Sequence, residues 1–379
     1  MQAYITGIGL ISPLGLTWDA FKHNLFGGAA APNELTLFEA PEGAPETAFE
    51  LQEFELRDYV PSVQTFIDRT SAFGLAAAKC ALDDAKLAAN EEQRKRCGLF
   101  YATTFGCLTA LELFYDKVLN SNPKFAPPLL FIHSYANTPC SLIAIEFGIE
   151  GISATFSSGA FAALDALNFA LVSLDLGRAE TVLVVASESL SRSLYTYYHE
   201  AGFLASDGRI EPLSVQGTGT ILGEGAAALV LETAESAARR GAKKYARLVS
   251  AAPASGRDRK GALANSLAKL GGKEKPDALF ASANGVKALD EAEAEAFREC
   301  CPDTPVRTLK KLTGECFSAS NLFAVAAAAA ALEEKTLPDI PSAEPLLENV
   351  KLRCGAPGTI AVTALDEGNA AASALLARA

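Results

Sequence analysis

The chain has 379 residues, with 33 Lys and Arg against 45 Asp and Glu, and therefore a formal net charge of −12. Hydrophobic residues make up 49% and charged residues 21%, a balance typical of a globular protein and not of a disordered or collagen-like one. The acidic balance argues against nucleic acid or an anionic membrane surface as the main partner. The longest apolar runs, such as 323–332, have about ten residues and are too short to span a bilayer.

The cysteines and histidines bear on location and metal binding. The eight cysteines include no Cys-x-x-Cys pair, and the pattern predicts buried, reduced thiols and a reducing, cytoplasmic location. The three histidines, His23, His133 and His199, are far apart in the sequence, so no metal centre is predicted. The first 15 residues lack a basic start and contain Gly and Pro, and we interpret them as a strand and turn, not as a signal peptide.

Short apolar runs alternate with Ala-rich amphipathic stretches along the chain. In the first part, the pattern predicts strands at 3–11, 97–103, 152–156, 181–187 and 226–233, and helices at 17–26 (capped by Thr17), 65–88 and 159–175. The helix at 159–175 is apolar all round and is therefore predicted to be buried.

A second series begins near residue 243. It predicts strands at 245–252, 278–283 and 358–365, the last of which closes the sheet, and helices at 290–300 and 323–334. The alternation favours an α/β protein with a mainly parallel core, in two halves joined near residues 234–244.

Glycines surround the beginning of the strand at 226–233. Gly217, Gly223 and Gly225 suit a tight turn or a close approach of backbone. Glu224 is either an exposed turn carboxylate or a buried ion pair or backbone anchor. We favour burial, because a carboxylate at the start of an apolar strand needs a partner there.

Four segments resemble motifs of the β-ketoacyl-acyl-carrier-protein synthases, a family with the thiolase fold. They are ITGIGLISPLG (5–15), GTGTILGEGAAALVLET (217–233), ARRGAKKYARLVS (238–250) and TLKKLTGECFSAS (308–320). They follow the family's order over nearly the whole chain. The resemblance implies an α/β, thiolase-like fold of two fused βαβαβαββ halves forming a five-layered αβαβα core. We place the N-terminal half at 1–240 and the C-terminal half at 241–379.

Condensing enzymes of this family use a cysteine thiolate, two imidazoles and a glycine-rich gating loop. A cysteine at a helix N-terminus has a lowered pKa, and neutral imidazoles donate to a thioester oxygen that gains charge. By resemblance, the nucleophile position is Phe156, and a phenyl ring has no lone pair with which to attack a thioester. Asn284 and Glu315 occupy the two histidine positions, while the family's lysine is retained as Lys310.

The surrounding positions also depart from the family. Ser157 and Ser158 follow the nucleophile position, and we interpret them as N-caps of the next helix. The gating loop corresponds to 364–369, where Asp366 and Glu367 replace glycines; two carboxylates would crowd the pocket and repel a malonyl group. The sequence leaves open whether Lys310 pairs with Glu315 or with Glu224.

These changes predict a chain without catalytic residues or condensing activity of its own. It resembles the chain length factors, sister subunits that lack the nucleophile, pair with an active ketosynthase and shape its acyl tunnel in type II polyketide systems. Aromatic-polyketide members carry Gln at the nucleophile position, so Phe156 leaves the product class open, and aryl polyene pathways fit as well. By the same resemblance, the partner's tunnel is faced by Leu130, Phe131, His133 and Tyr135. Plain packing is the alternative for Phe131 and Tyr135, and we interpret His133 as a satisfied polar residue.

The resemblance implies two partners, an active ketosynthase subunit and an acyl carrier protein whose phosphopantetheine carries the substrates, with no cofactor or metal. Two alternatives remain. One is a diverged acyl-thioester enzyme, an acyltransferase, hydrolase or decarboxylase, that uses Ser157, Ser158, Asn284 or Glu315. The other is a homodimeric scaffold that binds acyl carrier protein. The basic run at 239–244 is interpreted as a solvated helix end.

Overall fold

A computed structural model describes residues 2–28, 30–61, 66–87, 90–271, 275–340, 342 and 344–379. The strands are β1 (Ala3–Ile11), β2 (Asn33–Glu34), β3 (Thr47–Ala48), β4 (Gly98–Ala102), β5 (Ser153–Phe156), β6 (Thr181–Glu188), β7 (Gly225–Thr233), β8 (Ala246–Ser255), β9 (Ala278–Ala281), β10 (Val306–Thr308), β11 (Thr359–Leu365) and β12 (Ala370–Ala377). The helices are α1 (Trp18–Gly27), α2 (Arg69–Asp84), α3 (Glu91–Arg96), α4 (Leu108–Asn120), α5 (Pro128–His133), α6 (Thr138–Phe147), α7 (Ala162–Asp175), α8 (Arg192–Glu200), α9 (Ala234–Arg239), α10 (Arg259–Lys269), α11 (Lys287–Cys300), α12 (Lys310–Thr313) and α13 (Phe317–Glu334). Every helix in this described part of the chain is too short or too polar to cross a bilayer.

Two groups of five strands share one topology. The first has the order β5-β4-β6-β7-β1 and the second β10-β9-β11-β12-β8. In both, the outer three strands are parallel and the inner ladders antiparallel. The groups join where β1 pairs antiparallel with β8. Each half therefore has the predicted βαβαβαββ order, which confirms the thiolase-like fold. The expectation of a mainly parallel core is wrong, because the last two strands of each half form antiparallel ladders.

The helices lie in three layers around the two half-sheets. Helix α7 packs against β4 and β6 on one side and β8 and β12 on the other, and α13 lies beside it. Helices α2 and α6 cover the outer face of the first half, and α10 and α11 that of the second. Val182 and Val184 face the central helices while Leu183 and Val185 face α2, as the alternation of a strand requires. Burial on both faces explains why these strands are continuous apolar runs.

Most predicted elements have a counterpart, with two corrections. Strand β11 does not close the sheet, because β12 follows and lies between β11 and β8. The helix predicted at 65–88 is Arg69–Asp84, and residues 65 and 88 lie outside the described residues. Thr17 caps α1, since its hydroxyl accepts the Ala20 N–H at 3.2 Å. The boundary at 240/241 stays a prediction.

The outer strand of the second half, β10, is buried along its length. Arg307 in β10 is itself buried and donates to the carbonyl oxygens of Pro338, Val350 and Leu352 at 2.9, 2.9 and 3.1 Å. A further bond, at 2.8 Å, goes to the carbonyl of Val306. The guanidinium thus binds the segments around Pro338 and Val350, which cover this edge of the sheet.

The outer strand of the first half, β5, is open. Ser153 is exposed and the other three residues are half-buried. The carbonyls of Ile152 and Phe156 accept bonds from the N–H groups of Leu99 and Thr103. Because peptide groups alternate in direction along a strand, the N–H groups of Ser153 and Thr155 point away from the sheet.

Candidate functional site

Phe156 ends β5, immediately before the turn that leads into α7. Its ring centroid lies 5.7 Å from that of Phe100 on β4 and 5.0 Å from that of Phe169 on α7. Its carbonyl accepts the Thr103 N–H at 3.0 Å. The side chain at the predicted nucleophile position is therefore an apolar ring packed between the sheet and the central helix.

The turn between β5 and α7 contains Gly159, whose φ of +91° disfavours any other residue. The Ser158 hydroxyl donates to Asp165 Oδ2 at 3.1 Å, and burial raises the pKa of Asp165. Helix α7 begins after Phe161 without a side-chain cap. The interpretation of Ser157 and Ser158 as N-caps is therefore wrong: the Ser158 hydroxyl binds the Asp165 side chain, inside α7, and Ser157 is exposed.

The hairpin between β11 and β12 carries Asp366 and Glu367 across this turn. The Asp366 carboxylate lies against Gly159, in the space that a Cβ would take, and accepts the Ala160 N–H at 3.3 Å. This position, just before α7, is one that favours an anion. The Tyr198 hydroxyl donates to Glu367 Oε1 at 3.0 Å. Both carboxylates are thus held by hydrogen bonds to the opposite side of the site.

Further bonds hold the turn and the hairpin in place. The Asn321 amide donates to the Ala160 carbonyl at 2.5 Å, and the Thr104 hydroxyl to the Gly159 carbonyl at 3.2 Å. Arg259 Nε donates to the Glu367 carbonyl at 2.8 Å. No local sequence pattern predicts these contacts, because each joins residues far apart in the chain.

Asn284, Glu315 and Lys310 meet in one buried cluster. Lys310 Nζ lies 2.6 Å from Glu315 Oε2, and the Asn284 amide donates to the same oxygen at 2.8 Å. The other oxygen of Glu315 accepts the Phe317 N–H at 2.8 Å. Only 3% of Glu315 and 7% of Lys310 is exposed. Both oxygens of the Glu315 carboxylate, and the Lys310 ammonium, are therefore engaged within the chain.

Phe317 was not singled out from the sequence. Its φ of +49° is unusual for a bulky residue, and backbone in this region concentrates at functional sites. Its ring meets Phe105 at 4.8 Å and Tyr198 at 5.6 Å, both edge to face. Burial and the nearby Glu315 raise the pKa of the Tyr198 hydroxyl. Through Tyr198, this cluster of rings contacts Glu367 of the hairpin.

Glu224 pairs with Arg69 and not with Lys310. Arg69 Nε lies 2.9 Å from Glu224 Oε2. The N–H groups of Leu51 and Leu190 donate to the same carboxylate at 2.9 and 3.2 Å. The carboxylate is fully buried and joins α2, the chain after β3 and the loop before α8.

The glycines beside Glu224 allow a close approach of backbone. A Cβ at Gly223 would collide with the Thr313 carbonyl, and one at Gly225 with the Ile11 carbonyl. Gly225 also has a φ of +145°. Glycine is therefore required at both positions: Gly223 lies against the segment that carries Glu315, and Gly225 lies against the end of β1.

Two buried carboxyl groups near the site were also missed. Burial raises the pKa of Glu188 to about 7, although it accepts bonds from the Thr103 hydroxyl at 3.2 Å and from Ser318. Burial likewise raises the pKa of Asp290 to about 7, and its oxygens accept the N–H groups of Asn284 at 3.0 Å and Leu213 at 2.7 Å. Both groups support segments that carry site residues.

The predicted tunnel residues lie on and beside α5. Phe131 and Tyr135 are 46% and 49% exposed, with ring centroids 5.1 Å apart, and Leu130 is half-buried. His133 is buried, and its Nδ1 has no hydrogen-bond partner among the described residues. Burial lowers the pKa of His133. The interpretation of His133 as a satisfied polar residue is therefore wrong for that nitrogen.

An apolar surface, which we call the β5 face, is formed by α5, α6, α7 and residues next to them, and α6 and α7 contact the open strand. Its exposed members are Leu129, Phe131, Ile132, Tyr135, Ile145, Ile152, Phe169, Val172 and Leu176. The prediction that the helix at 159–175 is buried all round is therefore wrong, since one side of α7 faces outward. Exposed apolar patches of this kind mark interaction surfaces.

Two smaller expectations also need correction. All eight cysteines are free thiols, but Cys80, Cys300 and Cys354 are only partly buried. The basic run is not simply a solvated helix end. Arg240 Nε lies 2.8 Å from Glu232, whose side chain is fully buried, and Lys243 lies 3.2 Å from Glu333.

A family model for the N-terminal domain of beta-ketoacyl synthase matches residues 3–237, and one for the C-terminal domain matches residues 232–344. The chain is 26% identical over 371 residues to the tetracenomycin polyketide synthase ketoacyl synthase alpha subunit of Streptomyces glaucescens, covering 89% of this chain and 86% of the relative. It is 27% identical over 363 residues to the 3-oxoacyl-(acyl-carrier-protein) synthase 2 of Synechocystis sp., covering 89% and 87%.

Two solved structures are similar over the whole chain. The ishigamide ketosynthase/chain length factor superposes with a TM-score of 0.92 at 22% identity, covering 100% of this chain and 99% of that one. AntDE:AntF, a type II polyketide synthase acyl-carrier protein in complex with its ketosynthase, superposes with a TM-score of 0.86 at 20% identity and the same coverage. At these identities the structural similarity concerns the fold.

Proposed function

This chain belongs to the β-ketoacyl synthase family, and we propose that it is a non-catalytic, chain length factor-like subunit that pairs with an active ketosynthase and shapes its acyl tunnel. Phe156 carries the proposal. It stands at the strand-to-helix turn where the family has its cysteine, and its ring is packed against Phe100 and Phe169. A phenyl group cannot form an acyl-thioester, so the first covalent step of condensation has no nucleophile at that position.

The surrounding charges support the same proposal. Thioester chemistry develops negative charge on oxygen, which donors must stabilise. Here the Ala160 N–H is taken by the Asp366 carboxylate. Where the family has its second imidazole, this chain has Glu315, which Lys310 and Asn284 bind. Two carboxylates close to a developing oxyanion would raise its energy rather than lower it.

The open edge of the sheet supports a partner subunit. Strand β5 directs the N–H groups of Ser153 and Thr155 away from the sheet, and the apolar β5 face includes α6 and α7, which contact this strand. An exposed edge strand of this kind pairs readily with another chain. Two similar proteins are named as a ketoacyl synthase alpha subunit and as a ketosynthase/chain length factor.

The proposal extends to substrates and location. The partner ketosynthase supplies the cysteine and both histidines, and acyl carrier protein delivers the chain on its phosphopantetheine arm. We propose that no other cofactor is used, that the product is a type II polyketide, an aryl polyene or a fatty-acid-like chain, and that the complex works in the cytoplasm, where its eight free thiols stay reduced.

The first test is co-purification. The chain is tagged, expressed with the genes that neighbour its own, and analysed by native mass spectrometry and peptide identification. We expect a one-to-one complex with a ketosynthase that has an intact Cys-His-His set. A stable homodimer that binds acyl carrier protein without turnover would favour the scaffold alternative instead.

The second test separates this proposal from an altered enzyme. The purified chain alone is assayed on acyl-carrier thioesters for transfer, hydrolysis and decarboxylation, and we expect no turnover. Turnover that is lost in Ser158→Ala or Glu315→Gln would overturn the proposal. In the complex, Phe156→Ala should leave condensation nearly intact, and Phe156→Cys in the chain alone should not create it, because Asn284 and Glu315 still lack imidazoles.

The third test addresses the tunnel. Phe131→Ala and Tyr135→Ala each remove an exposed ring from α5 or the residues just after it. If these rings line the partner's tunnel, the complex should release chains of altered length at a similar rate. An unchanged product profile for both variants would leave plain packing as their role. Leu119→Ala, which also removes an exposed apolar side chain, is the control.

A further inference from the structure

A polar cleft of about 660 Å³ opens at the opposite end of β5 from Phe156. It is lined by residues next to the start of β5 and just after α7, Gly151 and Arg178 among them. Helix α7 begins near Phe156 and ends beside the cleft. Its 14 residues separate the two places by about 20 Å, at 1.5 Å per residue. The cleft is thus a feature apart from the candidate site.

The cleft is locally basic in an acidic chain. Four cationic side chains line it, Lys95, Arg96, Arg178 and Arg239, against the carboxylates of Glu92 and Glu180. Lys95 is paired with Glu91 at 2.8 Å, and Arg239 with Glu180. Within the described part of the chain, Arg96 and Arg178 have no side-chain hydrogen bond or ion pair, and both are exposed. Two guanidinium groups therefore remain without a counter-ion.

The cleft is continuous with the β5 face. Gly151 in its lining precedes Ile152, and Gly177 and Arg178 follow Leu176. Ile152 and Leu176 are both exposed members of that face. A protein that lies along β5 and α7 therefore extends over the cleft.

We infer that this cleft receives an acidic segment of the partner ketosynthase, whose carboxylates pair with Arg96 and Arg178. The inference rests on the proposed heterodimer and adds the chemistry of one contact to it. Guanidinium groups bind carboxylates in a planar, bidentate geometry. Such a contact at the rim of an apolar interface speeds association, orients the partner and disfavours wrong partners, which matters for a chain with a net charge of −12.

The test measures subunit association with charge-reversal variants. The dissociation constant of this chain for its co-purified ketosynthase is compared between wild type and Arg96→Glu/Arg178→Glu, at low and high salt. We expect the variant to bind at least about tenfold more weakly at low salt, which is about 1.4 kcal/mol. Salt should weaken binding of wild type but not of the variant, because salt screens the attraction in the first and the repulsion in the second. The matched control is Arg353→Glu, which reverses an exposed cation of the second half. It should leave the dissociation constant and its salt dependence unchanged.

A second variant guards against loss of folding. Arg96→Ala/Arg178→Ala introduces no repulsion and should weaken association by an intermediate amount, with a melting temperature equal to that of wild type. A photocrosslinking residue placed at 178 should capture a peptide of the ketosynthase rich in Asp and Glu.

Three results would overturn the inference. If the charge-reversal variant binds the ketosynthase with unchanged affinity and salt dependence, the inference about the cleft is wrong, although the proposed heterodimer still stands. Weaker binding of acyl carrier protein with unchanged subunit affinity would assign the cleft to the carrier instead. Failure of the wild-type chain to bind any ketosynthase would overturn the proposed function and this inference together.

Discussion

The two outer strands of the sheet, β5 and β10, occupy equivalent positions in the two halves, but β10 is covered by the chain and β5 is not. Strand β10 is buried, and Arg307 binds carbonyl groups of the chain that crosses it. Strand β5 is open, with outward-pointing peptide groups and apolar neighbours. A sheet edge left bare invites pairing with another chain. The difference shows that equivalent strands of one topology can have different surroundings: the chain itself covers one edge, and the other edge is the one that the proposed function assigns to a partner.

The largest expected effect is at the closed edge. Arg307→Met keeps the length of the side chain but removes the donors for four carbonyl groups. Because buried carbonyls without partners are costly, we expect the free energy of unfolding to fall by about 3 kcal/mol. Urea denaturation measures it, and the exposed Arg353→Met should change it by less than about 0.5 kcal/mol. Equal stability of the two variants would mean that Arg307 does not close this edge.

The next effect is at the open edge. Ser153→Pro removes an N–H that points away from β4, at the first position of β5, where proline is tolerated. We expect the free energy of unfolding to change little but association with the ketosynthase to weaken by about 2 kcal/mol. Titration of the labelled subunits measures this, with Ser153→Ala as the control that retains the N–H. Full affinity in the proline variant would show that the partner does not pair with β5.

A smaller effect is expected for the apolar side chains around that edge. Ile145 is 78% exposed on α6, so Ile145→Ser should barely alter folding. If a partner covers this side chain, association should weaken by about 1 kcal/mol. Val215→Ser, at an exposed residue between α8 and β7, provides the comparison and should have no effect. The same small change for both substitutions would place Ile145 outside the interface.

The smallest effect concerns pH. Burial lowers the pKa of His133, although Asp68 opposes this, so the folded chain prefers the neutral imidazole. The unfolded chain takes up a proton near pH 6.5, and stability present above that pH is lost as the pH falls below it. The melting temperature should drop by about 1–2 °C more in wild type than in His133→Gln between neutral and mildly acidic buffer. If the melting temperatures of wild type and His133→Gln fall equally, groups other than His133 cause the loss of stability.

The fold was largely predictable because buried strands and motif spacing are local signals. Strands β1, β6 and β7 were evident as apolar runs. Strand β12 was missed because Ala-rich sequence favours helix, and only its pairing between β11 and β8 holds Ala370–Ala377 extended. Open and covered edges could not be told apart, since cover depends on contacts such as that of Arg307 with Val350.

The candidate site was predictable in its positions but not in its pairings. The motifs placed Phe156, Asn284 and Glu315, but the choice between Glu315 and Glu224 as partner of Lys310 stayed open. It depends on Arg69, which is 155 residues from Glu224 in the sequence. Likewise Asp290 belongs to an acidic run typical of a solvated helix face, and its burial arises from the turn at Asn284 that its oxygens bind.

The contact between Asp366 and Gly159 also affects how easily substitutions could give this chain condensing activity. The carboxylate occupies space that only a glycine leaves free, and it is bound to the Ala160 N–H. A Phe156→Cys variant would carry its thiol three residues before Gly159, at the start of the turn that this carboxylate contacts, and a nearby negative charge disfavours a thiolate. On the proposed function, a change at position 156 alone would therefore not create condensing activity, because Asn284, Glu315 and Asp366 would remain. On the proposed function, substitutions that improve the fit to a partner are each accessible singly, whereas condensing activity would require several simultaneous changes.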